Sequence, residues 1–288
     1  KLGYSDFQIG DLIGRTELGV RKWRKEIGLR PVVKQIDTLA AEWPAQTNYL
    51  YMTYNGSEHD IDYSKDGEEV IVLGSGAYRI GSSVKFDWCC VNAVETASDL
   101  DYRSIMINYN PETVSTDYDV AHKLYFDELS LERVLDIYEL EDPSGLIVSM
   151  GGQIPNTLAN KLRDLDVNIL GTRPEDIDRA EDRSKFSDLL DNLGIDQPEW
   201  NELTEKEEAI EFAEKIGYPV MIRPSYVLSG SAMALAFDRE GLEDYLDQAS
   251  RVTSDYPVVI SKFLQGAKEI EIDAVAQEGE LIAGVVSE

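Results

Sequence analysis

Cysteine and histidine are almost missing from this chain, with two of each in 288 residues. Cys89 and Cys90 are neighbours in sequence, and adjacent cysteines rarely bridge each other. No third cysteine offers a partner, so a disulfide framework is excluded and a reducing compartment fits. His59 and His122 lie far apart without metal-ligand spacing, so each reads as a surface or loop residue. No apolar run approaches the roughly 20 residues that cross a bilayer, and no signal peptide is visible. Basic residues are also scarce: 27 Lys and Arg face 55 Asp and Glu, a formal charge of −28. That balance argues against nucleic acid or an anionic membrane as a partner, but not against a nucleotide held at one local site. A cytoplasmic location suits these features, and a mitochondrial one is compatible. The first residue is not Met, and a strand-like pattern runs up to Glu288, which reads as a piece of a longer chain.

What is present is concentrated in Tyr218–Met233, YPVMIRPSYVLSGSAM. Val220, Met221 and Ile222 form an apolar run long enough for a buried strand. Arg223 stands at its end, where Pro224 removes a backbone donor. A loop with three serines and Gly230 follows, and Met233 to Phe237 is a return strand. Gly and Ser let a backbone approach phosphate oxygens, and an Arg at the loop's base supplies a forked donor. An ordinary hairpin with a polar tip has the same composition.

Length sets a prior of two domains. Tyr4 to Arg30 reads as two short helices, capped by Ser5 or Asp6 and by Thr16. The second carries Arg21, Lys22, Arg24 and Lys25, a pattern shared by DNA-binding helix pairs and by packed connectors. Pro31 to Pro44 is expected to continue the helical connector, with Ala40 and Ala41 as helix formers. The aromatic-rich stretch Asn48 to Tyr54 is expected to pack on a domain surface, and Asn55 to Glu69 to be a linker. Val70 to Leu73, then Gly74, Gly76 and Gly81, then an apolar helix, make the strand, glycine turn and helix of a Rossmann-like unit. The dinucleotide fingerprint wants glycine at Arg79 and an acid where Ser104 to Asn110 ends in Asn, which disfavours NAD. Strand signals at Lys123–Phe126, Gly145–Met150 and Val167–Leu170 alternate with helical ones at Leu131–Leu140 and Pro155–Leu165, implying a parallel sheet. Polar loops at Asn110–Asp119 and Gly151–Asn156 fall at strand ends, where ligands bind in such sheets, although both are also plain turn chemistry. From Asp182 onward helices mix with hairpins, an α+β pattern, with the boundary near Arg173 to Asp182.

Six segments then carry a resemblance. They are VKQIDTLAAEWPAQTNYLYMTY (Val33–Tyr54), LGSGAYRIGSSVKFDWC (Leu73–Cys89), MINYNPETVSTDYD (Met106–Asp119), SMGGQIPN (Ser149–Asn156), GTRPEDIDRAEDRSKF (Gly171–Phe186) and the RPSYVLSGSAM that begins at Arg223. In this order they resemble the large chain of carbamoyl-phosphate synthase, over essentially the whole sequence and in its fungal or animal wording. The resemblance implies a helical connector and linker at 1–68, the end of an oligomerisation region. A Rossmann-like pre-ATP-grasp domain follows at 69–178, and the first portion of an α+β ATP-grasp domain at 179–288. It places the chain at the start of the half that phosphorylates carbamate.

In that family a carbamate oxygen attacks the γ-phosphate of ATP, a reaction that runs on positioning and charge stabilisation. By resemblance, Arg183 contacts nucleotide, and Arg223 meets the phosphates as a catalytic cation. Ser229, Gly230 and Ser231 form the flap over them, with Ser229 where relatives often have glycine. Lys262 and Leu264, with Ser261 and Phe263, line the adenine through backbone groups, and Glu269 holds the ribose hydroxyls. Mg-ATP with two metal ions, Mg or Mn, is implied, with the metal ligands expected beyond Glu288. Implied partners are ATP, carbamate, the remainder of the large chain and a glutamine amidotransferase subunit or domain, within an oligomer. The piece alone is then expected to bind nucleotide weakly and turn over little. Another ATP-grasp ligase of the biotin carboxylase kind, and a non-catalytic interaction module, are the competing readings.

Overall fold

The computed structural model describes residues 2–64, 67–78, 83–224, 233–252 and 258–288. They fall into two compact units, Lys1–Glu181 and Asp182–Glu288.

The first unit opens with helices α1 (Asp6–Ile13) and α2 (Glu17–Glu26). Ser5 caps α1 in a reciprocal box with Gln8, Gly14 ends it at φ 68°, and Thr16 caps α2. Strand β1 (Val32–Gln35) pairs antiparallel with β2 (Tyr49–Thr53). The expected helix through Ala40 and Ala41 does not form. Both residues have positive φ, 52° and 59°, and the Asp37 carboxylate accepts the amides of Leu39 and Ala41. A side chain that captures nearby amides competes with the helical ladder, and alanine propensity is too small to win. The aromatic stretch is itself a sheet strand: β2 alternates buried Leu50 and Met52 with exposed Tyr51.

The remainder alternates strand and helix: β3 (Glu69–Leu73), α3 (Val84–Asp99), β4 (Arg103–Ile107), β5 (Lys123–Tyr125), α4 (Leu131–Glu141), β6 (Gly145–Ile147), α5 (Gln153–Leu162), β7 (Ile169–Leu170) and α6 (Pro174–Glu181). The seven strands lie in the order β1-β2-β5-β4-β3-β6-β7, parallel except for the β1–β2 pair. The central strand β3 is buried along its full length, as a parallel strand covered on both faces must be. One cluster packs α4 and α5 against Ile71, Leu73, Ile105 and Ile107; a second packs Cys90 and Val94 of α3 against Val72 and Met106.

The basic face of α2 turns inward. Arg24 contacts Asp6 at 2.8 Å and Asp136 at 3.0 Å, Arg21 reaches Asp136 at 2.6 Å and Glu139 at 2.9 Å, and Lys25 pairs with Glu139 at 2.7 Å. Arg21 and Arg24 are 7% and 5% exposed, so acids of α1 and α4 take up three of the four cations weighed as a nucleic-acid surface, and Lys22 is left exposed. Burial would raise the Glu139 carboxyl, but its bonds from Arg21 and Lys25 hold it at about 2.

The second unit starts with α7 (Arg183–Leu193), capped by Asp182 and closed by Gly194 at φ 67°. Then come β8 (Trp200–Leu203), α8 (Lys206–Ile216), β9 (Val220–Pro224), β10 (Ala234–Ala236), α9 (Arg239–Val252) and β11 (Val258–Lys262). The four strands form an antiparallel sheet in the order β10-β9-β11-β8. Its core joins Val220, Ile222 and Ile260 of the sheet to Ala209 and Ala213 of α8 and Leu242 of α9. A separate ribbon of β12 (Glu271–Gln277) and β13 (Glu280–Ser287) turns at Glu278–Gly279 and is exposed on both faces. Glu205, not the neighbouring Thr204, is the N-cap of α8, and it makes no side-chain cap bond.

Candidate functional site

The β9–β10 hairpin brackets the loop that the sequence singles out, with Ile222 opposite Ala234 and Val220 opposite Ala236. Side chains alternate across a strand, so Val220 and Ile222 point to the helices while Met221 and Arg223 point to the other face. In register, Arg223 lies opposite Val259 of β11. Its Nε is buried and has no hydrogen-bond partner. Burial, and then the nearby positive charge of Arg183, push its guanidinium below the ordinary arginine value. Arg183, at the first turn of α7, thus lies near enough for its charge to act on Arg223 at the end of β9, forty positions away in sequence. Burial and a like charge both oppose the cationic form, and among the described residues no carboxylate offsets them at Arg223. An anion is the natural complement, and a forked guanidinium suits the oxygens of a phosphate chain.

Lys262 is held differently. Its ammonium donates to the carbonyls of Gly217 at 2.8 Å and Tyr218 at 2.9 Å, clamping the turn that feeds β9. Its amide donates to Glu199 and that of Phe263 to Pro219, so the segment after β11 is fixed by backbone bonds on two sides. Leu264 is 57% exposed just beyond. Glu269 is exposed, two residues ahead of β12. Ser229, Gly230 and Ser231 lie outside the described residues.

In the first unit, sequence reading pointed to the strand-end loops but missed the network that ties them. Asn108, after β4, accepts the Gly76 amide at 3.0 Å and donates to Ser115 at 3.1 Å; Ser115 in turn gives its amide to Asp87 of α3 at 3.1 Å. A Cβ at Gly74 would lie 2.5 Å from the Asn108 side chain, and one at Gly151 would lie 2.4 Å from the Gly74 carbonyl. The two glycines therefore permit a close approach that no other residue allows. Asn108 is fully buried and bonded to the glycine turn where a dinucleotide fold needs an acid facing the ribose, which is the physical counterpart of the failed fingerprint. The available sequence signal was the Asn itself, a polar residue closing an apolar strand.

Among the described residues no group of three His, Cys, Asp or Glu is placed to hold a metal ion, and no helix is long and apolar enough to cross a membrane.

Comparison with known proteins agrees with this architecture. Residues 66–179 match the carbamoyl phosphate synthase preATP-grasp domain, and residues 182–286 match the carbamoyl-phosphate synthase L chain ATP binding domain. The whole chain is 59% identical to the multifunctional protein URA2 of Saccharomyces cerevisiae, of which it spans 13%. It is 57% identical to the mitochondrial arginine-specific carbamoyl phosphate synthase large chain of Neurospora crassa, of which it spans 25%. Among solved structures, a biotin carboxylase from Campylobacter jejuni superposes with a TM-score of 0.58 at 15% identity, covering 75% of this chain and 50% of that one. N5-carboxyaminoimidazole synthetase from Staphylococcus aureus gives 0.55 at 15% identity, covering 79% and 57%. At those identities the superpositions report fold alone, and the fold is the pre-ATP-grasp and ATP-grasp pairing of these ligases. With both of its compact units matched by domains of one enzyme, the chain belongs to the carbamoyl-phosphate synthase large-chain family and spans a minor part of such a chain.

Proposed function

We propose that this chain is the nucleotide-gripping part of a carbamoyl-phosphate synthase large chain, in the half that phosphorylates carbamate with ATP for arginine or pyrimidine synthesis. The observation that carries the reading is the Arg183–Arg223 pair, two cations brought together with no offsetting carboxylate at Arg223 among the described residues. In this reading Arg223 and Arg183 hold the phosphates and stabilise charge as the γ-phosphoryl group passes to the carbamate oxygen. Ser229, Gly230 and Ser231 lie over the phosphates. The backbone after β11, set in place by Lys262, receives the adenine beside Leu264, and Glu269 takes the ribose hydroxyls. Residues 69–178 and 179–288 are the pre-ATP-grasp and partial ATP-grasp segments, and residues 1–68 lead into the first of them and add β1 and β2 to its sheet.

Magnesium accompanies ATP in such chemistry, but the described residues do not form a cation site, and no step is assigned to a metal held by this chain. Partners in the reading are carbamate, the rest of the large chain and a glutamine amidotransferase, within an oligomer in the cytoplasm or the mitochondrion.

The test is carbamoyl phosphate output by a full-length parent carrying Arg223→Met. Loss of at least about a hundredfold is expected, in the range seen when one charge-stabilising donor is removed. Output equal to the unaltered parent overturns the assignment. The 288-residue chain alone should bind Mg-ATP weakly and make almost no ATP from ADP and carbamoyl phosphate; robust synthesis would show that the chain needs nothing further.

A further inference from the structure

Strand β1 is the outer edge of the seven-stranded sheet, paired with β2 on one side and, among the described residues, with no strand on the other. A bare edge offers unpaired amides and carbonyls to any passing chain, and folded proteins cover it. Here the cover is formed by residues 55–64, which sequence reading marks as a linker. They replace a strand largely with side chains. The Val33 amide donates to Nδ1 of His59 at 3.1 Å, and the Gln35 amide to the Asp60 carboxylate at 3.1 Å. The Val33 carbonyl accepts the Asp60 amide at 2.9 Å, and Asp60 also pairs with Lys34 at 2.6 Å. Two anchors bound the span. At one end Gly56 lies so near β1 that a Cβ there would sit 2.5 Å from Cγ2 of Val32. At the other, Ile61 and Tyr63 pack on the main core of the unit.

We propose that residues 55–64 are a proton-gated strap over the β1 edge, with the His59 imidazole as its latch. Nδ1 accepts the Val33 amide only while it carries no proton, the ring's single N–H then being at Nε2. Once both nitrogens are protonated, Nδ1 is a donor facing another donor. The amide of Val33, a residue with no exposure, then loses its partner. Histidine is the side chain that makes this change between about pH 5 and 8. The other side-chain acceptor does not gate in that range, because Lys34 and then the Gln35 amide hold the Asp60 carboxyl below its ordinary value against burial. The groups around the ring divide by sign. The Val33 amide and the Tyr63 hydroxyl, 3.4 Å from Nδ1, need the unprotonated nitrogen, and Tyr63 sets its ring edge-on to the imidazole at 5.2 Å. Glu58, Asp60 and Asp62 flank His59 on the strap and favour the imidazolium that acid creates. Strand β1 brings Lys34, already paired with Asp60, and β2 brings the exposed Tyr51; behind Tyr63 stand Lys123 and Glu141. The edge is thus closed above the histidine range and bared below it, between two anchors that stay in place.

Amide hydrogen exchange of the 288-residue chain, corrected for the intrinsic pH dependence of exchange, reads the latch at Val33. Protection of the Val33 amide should fall at least about tenfold between about pH 8 and about pH 5, while that of Ile71 in the central strand stays within about threefold. His59→Asn keeps an acceptor at the place of Nδ1 at every pH and should abolish the fall. His59→Leu has no acceptor and should show the low protection already at about pH 8. His59 is exposed, so both variants keep the fold. Protection at Val33 that ignores pH overturns the proposal, as does a fall that His59→Asn preserves. A loss shared in full by Ile71 would be general unfolding in acid and would overturn it too.

Discussion

Replacing Arg223 by Met separates a binding cation from a structural one, because the two roles give changes of opposite sign. In the folded chain the guanidinium is partly removed from water, has a buried Nε without a partner, and feels the charge of Arg183. Each of these costs stability while no anion is bound, and Met keeps most of the stem while removing the charge. The nucleotide-free variant should therefore be more stable, by about 1 kcal/mol given the solvent that still reaches the site. For a unit of about a hundred residues that raises the unfolding midpoint by about 4–8 °C. Binding should move the other way. A hydrogen bond to a charged group is worth about 1.5–3 kcal/mol, so the variant should bind Mg-ADP about ten- to a hundredfold more weakly.

Thermal unfolding of the 288-residue chain, with and without millimolar Mg-ADP, reads both effects at once. Ligand stabilisation grows as RT ln(1 + [L]/Kd), so the variant should start higher and gain less as nucleotide is added, and the two curves should cross. A variant that melts lower without nucleotide, yet gains as much with it, would make Arg223 a fold residue and refute the reasoning.

Three other perturbations test the framework around the site. Lys262→Met loses both bonds to the turn before β9 and should cost about 2–3 kcal/mol in urea unfolding, with Lys262→Arg recovering part of it. Arg24→Met leaves the buried Asp6 and Asp136 short of a counter-charge and should cost about 3–5 kcal/mol, seen as an earlier transition of the first unit. Asp127, pushed up to about 6 by burial against the pull of the Met52 amide and Arg133, keeps in the folded state a proton that the unfolded chain has already lost. Its contribution is thus stabilising below about pH 4 and is lost as pH rises to about 6, by up to about 3 kcal/mol. Asp127→Asn should flatten the urea midpoint across that window, and an unchanged slope would show that the carboxyl ionises as freely folded as unfolded.

Local chemistry was readable from sequence, and distant chemistry was not. The bounds of α7 follow from Asp182 and Gly194, whose capping roles depend on neighbours a few residues away. The parallel core strands follow from β-branched runs between turn residues. Ala40 and Ala41 misled because a single carboxylate, Asp37, outbids helix propensity for the local amides. The aromatic run of β2 was conspicuous, but its pairing with β5 joins Tyr49 to Leu124, a contact that no local pattern encodes. At the site, Arg183 and Arg223 were each named from their motifs, while their proximity emerges only from the packed unit.

That proximity divides the cations assigned by resemblance into two kinds. Lys262 has its charge absorbed by two carbonyls of its own fold, so it fixes the geometry of the segment that follows β11. Arg223 is kept from such absorption. In a chain with twice as many acids as bases, a carboxylate beside it would have been easy to place, and α2 shows the pattern used elsewhere, with two buried arginines neutralised by Asp6 of α1 and Asp136 of α4. In the proposed reading, the energetic penalty left at Arg223 is regained when the nucleotide's oxygens replace water around it. A site already arranged for charge gains more from an anion than one that must first break its own ion pairs, because no internal partner has to be displaced.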